Sequence, residues 1–167
     1  MIKQKSDKLT LYGQVVRNAG NHPGKLALKC GEIELTWKRF LFCIDNVAKE
    51  LAQKGVKKND RIIVNQKKKT DFLISVIGIM ASKAIPVPIT DNDDGILDQV
   101  INECSVKIII GDVPGLKNQS DIQFVNINKI EPSQEKFDGK MVSDDGEIAM
   151  LFYTSGTTGM PKGAMLT

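Results

Sequence analysis

The sequence predicts an α/β fold, a mostly parallel sheet with helices on both faces, and three observations carry that prediction. Short apolar runs, Arg61 to Val64, Ile85 to Ile89 and Lys107 to Ile110, recur along the chain. Between them lie segments of helical length, Asp71 to Lys83 and 95–104. Strand, helix, strand, helix, strand is the signature of right-handed crossovers onto a parallel sheet.

Taken in order, Leu9, Leu11, Tyr12, Val15, Val16 and Ala19 repeat at helical spacing, which predicts a helix over 9–19 ending at Gly20. Leu26 to Cys30 and Ile33 to Leu35 read as two short strands. Gly31-Glu32 between them suits a type II′ turn, where glycine supplies the positive φ. Thr36 caps a helix whose buried stripe is Trp37, Phe40, Leu41, Ile44, Val47, Ala48 and Leu51, closed by Gly55.

The strand at 61–64 follows an Asn59-Asp60 turn, and 71–83 is a strongly apolar helix. Residues 85–89 are extended, because Pro86 and Pro88 each remove an amide donor and disfavour helix in the residue before. Residues 95–104 read as a helix, 107–110 as a buried strand and 122–127 as a further strand. The polar stretches 111–121 and 131–146, rich in Gly, Pro and Asp, read as loops. The acidic cluster Asp91-Asn92-Asp93-Asp94-Gly95 fails as a calcium loop. With Gly95 at position 6, Thr90 falls at position 1 and Ile101 at position 12. It reads as a turn whose acids favour the next helix N-terminus. Organisation follows: an α/β subdomain over 1–146, then a strand plus a Ser/Thr/Gly-rich loop over 147–167.

Composition narrows the function classes. With 167 residues, 41% hydrophobic and 26% charged, the chain can bury a real core as an ordinary soluble domain. A net charge of +3, from 23 basic and 20 acidic side chains, is too small a surplus to imply a nucleic-acid partner. Lys67-Lys68-Lys69 reads as a solvated loop or helix start. Cys30, Cys43 and Cys104 show no C-x-x-C spacing, which fits a reducing, cytoplasmic location. The N-terminus has no apolar signal region, and the longest apolar stretch, 72–81, is too short for a transmembrane segment. The single histidine, His22, sits beside Pro23 and reads as a surface turn residue. No Ser-His or Cys-His pair is available for covalent catalysis.

The chemistry concentrates near the end. Ile148 to Tyr153 reads as a strand, followed by eight residues, 154–161, that apart from Met160 are small, hydroxylated or turn-forming. Glycines let backbone amides approach oxygen atoms closely. The hydroxyls of Thr154, Ser155, Thr157 and Thr158 are donors, and Lys162 supplies a full charge on a flexible stem. Such a set suits a polyphosphate, although by composition alone it suits a flexible loop equally well. The order of residues excludes two common nucleotide loops. Walker A needs a glycine before its lysine and a Ser or Thr after it, but Lys162 stands between Pro161 and Gly163, while Gly156, Gly159 and Gly163 are spaced wrongly for G-x-G-x-x-G.

Thr154-Ser155-Gly156-Thr157-Thr158-Gly159-Met160-Pro161-Lys162-Gly163 resembles the signature loop of the adenylate-forming superfamily, T-S-G-T-T-G-x-P-K-G, at every specified position. That superfamily includes acyl- and aryl-CoA ligases, peptide-synthetase adenylation domains and firefly luciferase. The resemblance extends more loosely upstream. Glu34-Leu35-Thr36-Trp37, Gly55-Val56 with Asp60 to Val64, and Ala84 to Ile89 are similar to three of its segments. Asn59 and Lys83 depart from it, standing where glycine is common.

The resemblance implies an N-terminal piece of an ATP-dependent acyl-CoA ligase of fatty acid or other organic acid metabolism, most of whose active site lies beyond Thr167. A carboxylate attacks the α-phosphate of ATP, pyrophosphate leaves, and the thiol of coenzyme A or of a carrier protein then displaces AMP. The alternatives are an amino-acid-activating adenylation domain and a non-catalytic binding module that keeps the scaffold. By resemblance, Thr154, Ser155, Gly156, Thr157, Thr158, Gly159, Lys162 and Gly163 bind the ATP phosphates, with Thr154 also near Mg2+. No catalytic residue is expected within the chain, which alone is expected to be inactive.

Overall fold

A computed structural model describes residues 9–89, 94–113, 121–131, 137–139, 147–154 and 162–167. Expectations for 90–93, 114–120, 132–136, 140–146 and 155–161 lie outside the described residues.

The chain opens with α1 (Leu11–Asn21), shifted two residues from the predicted 9–19 because Thr10 is the cap, its Oγ1 accepting from the Gly13 N–H at 3.0 Å. His22 follows as the C-cap and is exposed. β1 (Leu26–Cys30) and β2 (Ile33–Thr36) pair antiparallel. Cys30 stands opposite Ile33, leaving Gly31-Glu32 as the turn, with Gly31 at φ 59°. α2 (Trp37–Gln53) begins where the Thr36 hydroxyl accepts from the Arg39 N–H at 3.3 Å. It ends in a Schellman closure: the Gly55 N–H reaches Ala52 and the Val56 N–H reaches Leu51, with Gly55 at φ 77°.

The main sheet comprises β3 (Arg61–Asn65), β4 (Ile85–Pro88), β5 (Ile108–Gly111) and β6 (Gln123–Val125), all parallel, in the order β4-β3-β5-β6. α3 (Lys69–Ala81) connects β3 to β4, and α4 (Asp94–Cys104) connects β4 to β5. Side chains alternate across the sheet. Ile62, Val64, Ile108 and Ile110 join α1, α2 and α3 in one core, whereas Ile63, Val87 and Ile109 join Leu97 and Val100 of α4 in the other. Helices therefore cover both faces, as the sequence predicts. On the first face α2 and α3 approach closely at Gly78, where an added Cβ would stand 2.7 Å from Val47 Cγ1.

β4 is an edge strand, and its prolines obey one parity. The Ile85 N–H donates to the Asp60 carbonyl at 2.8 Å and the Ile89 N–H to Val64 at 3.0 Å, both toward β3. Pro86 and Pro88 alternate with these donors and turn their nitrogens to the side away from β3, where β7 (Met150–Thr154) lies alongside without a ladder.

Two sequence expectations change. The strand expected over 122–127 contracts to Gln123–Val125 and gives way to a 3-10 turn, Ile127–Lys129. The Asn126 side chain accepts from the Asn128 N–H at 3.0 Å, and that local bond outcompetes a longer ladder. The second change is a strand that periodicity misses: β7 (Met150–Thr154) is followed by β8 (Lys162–Leu166), and the two form an antiparallel ribbon. Lys-Gly-Ala-Met-Leu carries no β-branched residue, so its extended form comes from pairing with β7.

Candidate functional site

The ribbon of β7 and β8 carries the predicted phosphate loop at its tip. Register places Thr154 opposite Lys162 and Tyr153 opposite Gly163, so the segment 155–161 leaves and returns between two paired residues. At the other end, the Ala149 N–H donates to the Leu166 carbonyl at 2.7 Å. Of the sequence-predicted site residues, Thr154, Lys162 and Gly163 are thus brought to one hairpin end, with Lys162 exposed. Ser155, Gly156, Thr157, Thr158 and Gly159 lie outside the described residues. Gly163 packs under its neighbours: an added Cβ would lie 3.3 Å from Leu151 Cδ1 and 3.5 Å from Tyr153 Cζ.

Leu151 and Tyr153 face the α4 core, while Met150 packs against the other core. The Tyr153 hydroxyl donates to Glu103 Oε2 at 3.0 Å and lies 3.3 Å from Cys104 Sγ. Burial first, then the bonds to Cys104 and Glu103, push this phenol well above its usual range. A cavity of about 220 Å³ lies beside it, lined by Arg61, Glu103, Cys104, Leu151, Tyr153 and Met165 among others. Sequence reasoning missed this cluster. Residues 50 positions apart leave no local signal, and only the packing of the ribbon on α4 joins them.

The sheet reverses its winding between β3 and β5, where open α/β sheets often bind ligands at the carboxyl ends of the strands. Here that crevice is filled. Asn65 is buried and its Nδ2 donates to the Asp112 carbonyl at 3.1 Å, while Gly111 stacks on the Asn65 backbone. A larger hollow of about 520 Å³ opens one strand further on, bordered by Asp112, Phe124, Asn126 and Lys129. At the amino ends of the strands, a cleft of about 270 Å³ gathers Lys54, Lys57, Arg61 and Lys107.

Among the described residues no group of three His, Cys, Asp or Glu side chains is placed to hold a metal ion, and no helix is long and apolar enough to cross a membrane. Burial raises the Cys43 thiol above its ordinary value, the opposite of what an activated nucleophile needs.

The chain, an α/β sheet bearing a hairpin between whose strand ends runs a hydroxyl- and glycine-rich sequence closed by a lysine, belongs to the AMP-binding enzyme family, which matches residues 15–167. The hybrid PKS-NRPS synthetase thnA of Trichoderma harzianum is 32% identical over 164 residues, 95% of this chain and 4% of that protein. Bacitracin synthase 1 of Bacillus licheniformis is 26% identical over 149 residues, 86% of this chain and 3% of that protein. The structure of O-succinylbenzoate coenzyme A synthetase (MenE) from Bacillus subtilis, in complex with AMP, matches with a TM-score of 0.79 at 18% identity, over 97% of this chain and 43% of that one. The chain therefore spans only a small part of the length of these curated relatives.

ATP and Mg2+ serve this family in general. Register holds the Lys162 backbone beside Thr154, at the two ends of the segment 155–161.

Proposed function

We propose that this chain supplies the triphosphate-binding wall of an enzyme that activates a small carboxylic acid as its acyl-adenylate, releases pyrophosphate, and passes the acyl group to a thiol. The observation that carries the proposal is the pairing of Thr154 with Lys162. It sets the sequence S-G-T-T-G-M-P, with its hydroxyls and glycines, between two paired strand ends, one of which carries the lysine. Thr154, Ser155, Gly156, Thr157, Thr158, Gly159, Lys162 and Gly163 then hold the phosphates, and Mg2+, when bound, neutralises charge on the phosphate oxygens. For such transfer the protein's part is positioning and charge stabilisation. Each hydrogen bond to a charged partner is worth about 1.5–3 kcal/mol.

Two acceptors follow from the relatives. MenE is named as a coenzyme A synthetase, which supports an acyl-CoA ligase acting on an organic or fatty acid. The thnA and bacitracin synthase names support the second reading, an adenylation domain that loads the phosphopantetheine thiol of a carrier protein. The higher sequence identity of these curated relatives favours that second reading. Carboxylate-dependent ATP–pyrophosphate exchange by the complete gene product, across fatty, aryl and amino acids, tests the activation step. Parallel assays with coenzyme A and with a phosphopantetheinylated carrier then decide the acceptor. Absence of exchange with every acid from well-folded protein overturns the proposal.

A further inference from the structure

Resting on that reading, we infer that Glu103 and Cys104 at the end of α4 latch Tyr153 and through it fix where the phosphate loop begins, making Tyr153 a positioning residue for the bound triphosphate. Within the described residues β7 pairs only with β8; it lies alongside the edge strand β4 without a backbone ladder to it. A two-stranded ribbon alone is marginally stable. Its placement therefore rests on packing beside β4 and on what its side chains hold. Leu151 and Tyr153 pack on the α4 core, and Tyr153 is the last residue before Thr154.

The latch is built on a firm support. α4 ends in a closed turn in which the Ser105 N–H reaches Asn102 and the Val106 N–H reaches Ile101, with Ser105 at φ 50°. Glu103 and Cys104 lie in that last turn. Both carboxylate oxygens of Glu103 are engaged: Oε1 accepts from Gln99 Nε2 at 2.6 Å and Oε2 accepts from the Tyr153 hydroxyl at 3.0 Å. Since the phenol has one proton and gives it to the carboxylate, the buried Cys104 thiol is the donor in its 3.3 Å contact with Tyr153. Hydroxyl, thiol and carboxylate thus form one chain with matched donors and acceptors. A second polar tie to this segment, Lys58 to Glu147 at 3.2 Å, lies before the ribbon begins and has a largely exposed lysine. Surface pairs of this kind contribute little.

The test uses the complete gene product and four variants: Tyr153→Phe, Glu103→Ala, Glu103→Gln and, as control, Lys58→Ala. Hydrogen exchange of the peptide over 154–162 is read first, because it needs no activity. Loss of a hydrogen bond to a charged acceptor predicts about tenfold faster exchange there in Tyr153→Phe and Glu103→Ala. Exchange in β3 stays unchanged. Glu103→Gln keeps an acceptor oxygen and stays near wild type, as does Lys58→Ala. Where wild type shows carboxylate-dependent pyrophosphate exchange, the same two weakened variants raise KM for ATP about tenfold while KM for the acid is unmoved. Equal loop exchange in Tyr153→Phe and wild type, or equal rises in both KM values, overturns the latch. An inactive wild type overturns the functional reading alone and leaves the exchange result to decide the latch.

Discussion

Asn59 donates its backbone N–H to the carbonyl oxygen of Lys83 across 2.9 Å, and both residues sit in the left-handed region, at φ 68° and φ 66°. Two turns at the amino ends of β3 and β4 are thereby tied together. By the resemblance drawn from the sequence, glycine is common at both positions. A residue with a Cβ pays about 1–2 kcal/mol for this conformation, asparagine less than most.

Lys83→Gly is therefore expected to raise stability by about 1 kcal/mol, with Asn59→Gly giving a smaller gain. At this chain length that corresponds to about 2–4 °C in thermal midpoint. Calorimetry of the two variants checks it. A lower midpoint for Lys83→Gly shows that the lysine side chain contributes more than its backbone strain costs.

Gly111 gives the opposite expectation. Its φ is 115°, and an added Cβ would stand 1.8 Å from the Asn65 carbonyl oxygen in the adjoining strand. Backbone cannot yield as a side chain does, so Gly111→Ala separates β5 from β3. It is expected to cost at least about 3 kcal/mol. Urea unfolding that returns a wild-type midpoint contradicts this packing.

Tyr12 predicts an alkaline limit. Its hydroxyl is 2.9 Å from Asp45 Oδ1 and 2.9 Å from the Phe137 carbonyl, and burial first, then Asp45, push it far above the ordinary 10.0. The unfolded chain releases this proton near pH 10 while the folded chain keeps it. Above that pH the unfolded state binds fewer protons, so stability falls as pH rises, by up to about 1.4 kcal/mol per pH unit for one group. The contribution is fully present below pH 10. Tyr12→Phe is expected to lose about 1–3 kcal/mol at pH 7 and to show a shallower decline between pH 9.5 and 11. Identical slopes for the two proteins remove Tyr12 as the cause.

Lys162→Ala in the complete gene product is expected to raise KM for ATP by about tenfold or more, from loss of one charged hydrogen bond to phosphate. The acid's KM should barely move, because the lysine sits at the loop end of the ribbon. Pyrophosphate exchange at varied ATP and fixed acid measures it, with Lys162→Arg as the charge-keeping comparison.

How much of this was legible in the sequence depended on range. α2 was readable because each of its signals is local: a cap at Thr36, an apolar stripe, and a terminating glycine at Gly55. The parallel sheet was readable because connections of helical length leave few alternatives. β8 was not, since Lys162 to Leu166 has no strand pattern of its own and borrows its shape from β7. The candidate site split the same way. Its loop chemistry is contiguous and could be read directly, whereas the hold of Glu103 on Tyr153 spans 50 positions and appears only after folding. The left-handed turn at Lys83 showed only as a missing glycine.

The parity of Pro86 and Pro88 bears on how this protein behaves in a crowded solution. An open sheet invites foreign strands to its margin, and such recruitment is how misassembly starts. A recruited strand needs donors as well as acceptors, and along β4 the outward donors have been deleted. The margin offers carbonyls alone, and β7 already lies along it, so a visiting strand finds half a ladder on an occupied flank. The opposite margin, β6, is three residues long. Concentrated protein is thus guarded on one side by proline and on the other by brevity.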